Sequence, residues 1–353
     1  MDGLLTNKKI DVVDFDGLKL FMLKDDNLYD HFIANDRKNQ DLDAYYKEIK
    51  ERKGYPIPGI TFENCESSDD PRNGLFIYFK HLLDQHIAFT VFDIGSHIGD
   101  FAIKCGHFFR NADRKIGVVS FDPSPAGMLV QYNIDINGLT KYNKHEALAV
   151  TEHDGYYIFH FREGYSDSAK LSFSKEGSFL EKLRFYAGST LAFKFTILKK
   201  LISQAIRKTP KSFDLIVKGI KVENYLKTQS IDTHLFVKID VEGYDEVLVR
   251  EFIRLKKNKL ISIISELHVD AGSIHFLQEI SEHFYVFDLF YCPNPTRFKL
   301  ISPEQFEDFI HRDLKNREYG YTDLFLLDKQ TPDVNTLVSK LIKLRQKKDE
   351  LIL

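Results

Sequence analysis

A short apolar run ending in a carboxylate, a glycine-punctuated turn and then a helical pattern occupy Thr90 to Lys104, T-V-F-D-I-G-S-H-I-G-D-F-A-I-K. This is how a strand delivers a ligand-binding loop to a helix N-terminus. From Phe89 onward the same grammar repeats, with short apolar strands alternating with helical segments, which is the signature of a parallel sheet with crossover helices. Seven strands are expected, at Thr90–Ile94, Ile116–Phe121, Ala147–Val150, Leu235–Ile239, Leu260–Ser265, Tyr285–Leu289 and Asp323–Leu327. An antiparallel pair, Tyr156–Phe161 and Ala169–Ser174, falls between the third and the fourth.

The flanks read differently. Residues 1–85 are expected to form an N-terminal extension: a hairpin over Ile10–Leu23 turning at Asp16-Gly17, a helix over Lys38–Lys53, and a polar loop over Ser67–Gly74. Residues 86–330 form the main domain. Residues 331–353 are expected to be an amphipathic C-terminal helix with Leu337, Leu341, Leu344 and Leu351 on one seam, packing on its own domain or, less simply, forming a homodimer contact. Within the main domain, Leu180–Lys211 carries eight Lys or Arg against the single acid Glu181. Its interleaved apolar residues suit a basic amphipathic helix, read first as the solvated face of an insertion and second as an anion-binding lid.

Composition closes off several function classes. A net charge of −3 in 353 residues argues against general affinity for nucleic acid or for an anionic membrane. No apolar run reaches the length of a transmembrane segment, and the N-terminus lacks the layout of a signal peptide, so a cytoplasmic protein is expected. Cys65, Cys105 and Cys292 form no C-x-x-C pair and read as buried reduced thiols.

A dinucleotide-binding loop would read G-x-G-x-x-G, whereas this chain has Asp93-Ile94-Gly95-Ser96-His97-Ile98-Gly99, with histidine in place of the middle glycine. That disfavours an NAD-dependent oxidoreductase. A carboxylate two residues before the first glycine repels a diphosphate and suits a ligand with a cationic amino-acid portion. Asp122, at the tip of the second strand in V-V-S-F-D-P-S-P, is placed to accept hydrogen bonds from ribose hydroxyls. At the fourth strand, Lys238, Asp240 and Glu242 alternate, so extended backbone sends all three to one face, and the next strand brings Glu266 and His268 to the same edge. Such groups can supply a general base for a hydroxyl or ligands for a divalent cation; taken singly, Lys238 reads as an ion-pair partner and His268 as a buried hydrogen-bonded ring.

These pieces together resemble the FkbM-type methyltransferases of the class I S-adenosylmethionine-dependent fold. The resemblance runs in ordered blocks over about Phe89–Asp328: V-F-D-I-G-S-H-I-G-D-F, V-V-S-F-D-P-S-P, Asn133 and Asn137, E-A-L-A-V, V-K-G-I-K-V-E-N-Y-L, L-F-V-K-I-D-V-E-G-Y-D-E-V-L and I-S-E-L-H. The K-I-D-V-E-G block is the most specific. The family commonly has glutamate where this chain has Asp122, and a small residue plus asparagine where it has Ser96 and His97.

The resemblance implies an α/β, Rossmann-like class I methyltransferase domain: a seven-stranded, mostly parallel sheet flanked by helices. It implies S-adenosylmethionine as cofactor, held by Asp93, Gly95, Ser96, His97, Gly99, Asp122 and Asp240. Catalysis would fall to Asp240, with Glu242 and His268 assisting proton removal or orientation beside Lys238. Nitrogen-directed and cysteine-dependent base methylation lack their motifs here, which leaves O-methylation of a small-molecule or glycan acceptor, a sugar-containing or natural-product hydroxyl. A basic insertion at 180–211 would allow an anionic acceptor. A metal is neither required nor excluded. The expectation from another class is a non-catalytic binding module that keeps the fold and serves a protein partner.

Overall fold

The computed structural model describes residues 10–15, 18–23, 74–111, 117–162, 165–172, 212–231, 233–241, 243–256, 259–270, 272–289, 298–315 and 321–349. In chain order the hairpin strands β1 (Ile10–Phe15) and β2 (Leu18–Leu23) precede α1 (Gly74–Asp84), β3 (Phe89–Ile94), α2 (Asp100–Asn111), β4 (Val118–Phe121), α3 (Val130–Ile136) and β5 (Asn143–Glu146). Then come β6 (Ala149–Thr151), β7 (Gly155–Arg162), β8 (Tyr165–Ser172), β9 (Ser212–Lys221), α4 (Val222–Thr228), β10 (His234–Ile239), α5 (Asp245–Leu255) and β11 (Ile261–His268). The chain closes with α6 (Ser273–Ser281), β12 (Phe284–Asp288), β13 (Lys299–Ile301), α7 (Phe306–Asp308, continued by a wider turn Phe309–Leu314), β14 (Tyr321–Asp328) and α8 (Val334–Asp349).

An eight-stranded mixed sheet runs β13-β12-β14-β11-β10-β3-β4-β5. Strands β5, β4, β3, β10 and β11 are parallel neighbours, and β14 inserts antiparallel between β11 and β12. The sheet has one strand more than the seven expected, because the short edge strand β13 pairs antiparallel with β12. The third strand also sits elsewhere. N-K-H-E at 143–146 pairs with β4, whereas the apolar residues 149–151 pair with β9 in a second sheet ordered β6-β9-β7-β8. An edge strand has one neighbour and one well-covered side, so its sequence need not be an apolar run.

Strand alternation divides the core into two layers. Phe92, Ile94, Leu235, Val237, Ile239, Ile261, Ile263, Leu324 and Leu326 pack under α4, α5 and α6. On the opposite face Phe89, Val91, Phe236, Ile264, Phe325 and Leu327 pack against Tyr78 and Phe79 of α1, Phe101 and Phe109 of α2, and Leu337 and Leu341 of α8. Helix α1 is thus part of the domain core although it precedes residue 86. Phe79 lies in the middle of that layer, edge-on to Phe236 at 4.8 Å and stacked on Phe89 at 5.5 Å. The C-terminal helix seam, at Leu337 and Leu341, faces its own domain; Leu351, the expected helix over 38–53 and the basic stretch 180–211 lie outside the described residues.

The expected hairpin is present and is fastened to α3 by two asparagines one helical turn apart. The Asn133 side chain accepts from Phe21 N–H at 2.6 Å and donates to the carbonyls of Phe21 (3.3 Å) and Ile98 (2.8 Å). Asn137 accepts from Lys19 N–H at 3.0 Å and donates to the Lys19 carbonyl at 2.7 Å. The i, i+4 rise of a helix, about 6 Å, nearly matches the i, i+2 repeat of a strand, so two amides can pair with one strand edge. Leu20 and Met22 then bury against Ile98, Ile103, Val130 and Ile134. Asn133→Ala leaves the backbone groups of Phe21 and Ile98 without these partners and is expected to cost about 2 kcal/mol. Hydrogen exchange checks this: the Phe21 amide should exchange faster while Val237 stays protected, and unchanged exchange at Phe21 would contradict it.

Candidate functional site

The chain runs from β3 outward through β4 to β5, and later lays β10 on the other side of β3. The reversal of direction makes the junction of β3 and β10 a topological switch point, and open α/β sheets bind ligands in the crevice beyond the carboxyl ends of the strands at such a point. Asp93 stands opposite Lys238 in the β3–β10 register, and Glu266 opposite Asp323 in the β11–β14 register. All four lie on the strand face that buries Val91, Phe236, Ile264 and Phe325, carried two residues further along. The alternation that fills the aromatic layer therefore also lines up the charged edge.

Asp93 is fully buried and neither carboxylate oxygen makes a hydrogen bond; its nearest cation is the Lys238 ammonium at 3.6 Å. Burial pushes its pKa up to about 7, with Lys238 pulling the other way and Asp100 and Asp240 reinforcing the rise. Lys238 donates to Asp240 at 3.0 Å. Its burial alone would lower the ammonium pKa, but Asp240, Asp93 and Asp100 together hold it well above the usual lysine range. Lys238 is thus a fixed cation bridging two acids, in keeping with the ion-pair reading. Asp240 is the exposed member, with 46% of its side chain accessible.

The loop after β3 is pressed against this edge. Gly95 has φ +77°, and a Cβ placed there would lie 1.8 Å from the Asp240 carbonyl oxygen. The N–H groups of Gly95 and Ser96 both donate to the Phe121 carbonyl, His97 N–H donates to Asp122 Oδ2 at 2.7 Å, and Gly99 N–H donates to the Ser96 carbonyl. Four loop amides are consequently spent inside the protein, and α2 opens with the acid Asp100. A loop wired this way offers little to a diphosphate. His97 adopts φ +50°, left-handed backbone that directs its amide at Asp122. The Ser96 hydroxyl is buried and unpartnered.

Asp122 differs from the plain ligand contact its strand-tip position suggested. It is buried, and its two oxygens accept from His97 and Ser124 N–H, each at 2.7 Å, so it fastens the loop to the end of β4. Two of the roughly four lone-pair directions of a carboxylate remain. On the far side of the edge, Glu266 bonds His268 Nε2 at 2.7 Å, and the His268 ring, half exposed, lies against Tyr321. Glu242 lies outside the described residues.

Two acids that sequence reasoning passed over join this edge. Asp245, in the first turn of α5, is buried with both oxygens unpartnered; burial, then Asp240 and Glu266, push it up to about 7. Asp323 is likewise pushed up to about 7 by burial and then by the same two acids. Asp245 was readable only as a helix-start acid, and Asp323 only as the first residue of a strand; the signal available was their place beside the other edge acids. Among the described residues no group of three His, Cys, Asp or Glu is arranged to hold a metal ion, and no helix is long and apolar enough to cross a membrane.

Comparison of the chain with protein-family models, with curated proteins and with solved structures finds no match to any of the three.

Proposed function

We propose that the chain is an S-adenosylmethionine-dependent methyltransferase acting on a hydroxyl of a sugar-containing or natural-product acceptor. One observation carries the reading: at the switch point, a loop whose amides are occupied internally sits over a buried, hydrogen-bond-free Asp93 and an unpartnered Ser96 hydroxyl. Such a loop suits a nucleoside bearing a cationic amino-acid portion and disfavours one bearing a diphosphate. The order of strands, with β14 reversed between β11 and β12, fits the class I fold expected from the motifs.

Asp93 supplies the negative field at the base of the crevice, and the remaining lone pairs of Asp122 suit ribose hydroxyls. When bound, S-adenosylmethionine supplies an electrophilic methyl group, and alignment accounts for much of such a displacement. Lys238 holds Asp240 in place at the exposed rim, where its carboxylate accepts a hydrogen bond from the acceptor hydroxyl. Glu266 fixes the orientation of the His268 ring, which serves as the general base. Transfer of label from methyl-labelled S-adenosylmethionine to a panel of hydroxyl acceptors tests the reading. Asp240→Asn should lower kcat by about a hundredfold, a larger effect than the accompanying loss of adenosylhomocysteine affinity. A fully active Asp240→Asn would sink the assignment of that residue.

A further inference from the structure

The rim of the crevice is anionic in a way the methyl-transfer reading does not require. Asp240 lies just past β10, Glu266 lies on the neighbouring strand β11, and Asp323 stands opposite Glu266 on β14. Asp245 closes the group from the start of α5. The lysine on this edge, Lys238, is already engaged by Asp93 and Asp240. Opposed to that are four carboxyl groups, of which Asp245 is 3% exposed with neither oxygen hydrogen-bonded. A buried, unpartnered carboxyl is costly unless a donor arrives from outside the chain. Asp245 and Asp323 both have Asp240 and Glu266 as their principal charged neighbours, so the four groups converge on one region.

We infer that Asp240, Asp245 and Glu266, backed by Asp323, form a subsite for an organic ammonium group, so that the molecule bound beside the switch point is an amine-bearing compound such as an amino sugar. Calling that molecule the acceptor rests on the methyltransferase reading; the subsite itself does not. An ammonium donates separate hydrogen bonds to spaced acceptors, whereas a divalent metal draws its oxygens to within about 2.0–2.6 Å of one point. The described residues offer no group of three such ligands, and spaced carboxyls match the ammonium. A phosphorylated acceptor would meet repulsion from the ionised acids of this rim.

The test uses three probes that share one pyranose ring and differ in charge, namely glucosamine, glucose and glucose 6-phosphate, with the full chain at physiological salt and affinities read by ligand-observed NMR. Glucosamine should bind about tenfold more tightly than glucose, and glucose 6-phosphate more weakly than either. Asp245→Asn and Glu266→Gln should each erase most of that preference, with thermal midpoints showing that the variants fold. Failure of glucosamine to bind, equal affinity for glucosamine and glucose, or a preference surviving in both variants would overturn the inference. So would saturable magnesium binding that displaces glucosamine. Adenosylhomocysteine binding is measured separately on the same preparation. Its absence beside an intact glucosamine preference removes the methyltransferase reading and leaves the subsite, and the reverse pattern removes the subsite alone.

Discussion

Gly95→Ala is expected to cost about 3 kcal/mol or more in stability and to abolish ligand binding at the switch point. The added Cβ would meet the Asp240 carbonyl oxygen at 1.8 Å and its carbon at 2.8 Å. Both are backbone atoms, and Asp240 cannot simply withdraw because its N–H donates to the Ile94 carbonyl at 3.0 Å. Relief requires the ends of β3 and β10 to separate, which also stretches the Asp93–Lys238 pair. Gly243→Ala is the control. It has φ +86° but nothing within 4 Å of the added atom, so only the left-handed backbone penalty of about 1–2 kcal/mol applies. Urea denaturation of the two variants separates steric contact from backbone preference, and equal losses would show that the close approach at Gly95 does not matter.

Asp245→Asn is expected to stabilise the protein, and increasingly so as pH rises. Burial pushes Asp245 up to about 7 in the folded chain, well above the ordinary aspartate value of about 3.8, so the folded chain holds a proton that the unfolded chain releases. Stability contributed by this group is fully present below about pH 4 and is lost as pH rises through about 7. For one isolated, fully buried group the loss approaches about 4 kcal/mol. Asparagine removes the titration, so the variant's advantage should be smallest below about pH 4, grow steadily from there to about pH 7, and reach several degrees in Tm near pH 8. A difference in Tm that does not change with pH would refute the buried, unpartnered state of this carboxyl.

The sheet was legible where strands are buried on both sides. Thr90–Ile94, Leu235–Ile239 and Asp323–Leu327 are near-continuous apolar runs because parallel or central strands meet core on each face. Strand β5 was misplaced because N-K-H-E at an edge carries no such run, while the apolar Ala149-Val150 just beyond it belongs to another sheet. The charged edge was legible from alternation, which put Lys238 with Asp240 and Glu266 with His268. Two features were not. The loop-fastening role of Asp122 is hidden in the sequence because the amide it accepts from, that of His97, lies 25 residues away and reaches it through left-handed backbone. That same backbone suits the histidine, since Asn, Asp and His tolerate this region better than most residues. Asp245 and Asp323 are not singled out by the sequence because their importance comes from their place beside other acids, with Asp245 buried and Asp323 half-buried, which spacing along the chain does not reveal.

The reading turns on what occupies the crevice between β3 and β10, and calorimetric titration of the full chain with adenosylhomocysteine tests it most directly. Saturable binding of one ligand per chain, lost in Gly95→Ala and retained in Gly243→Ala, is the predicted result. No heat of binding at millimolar ligand, or binding undiminished by Gly95→Ala, would contradict it.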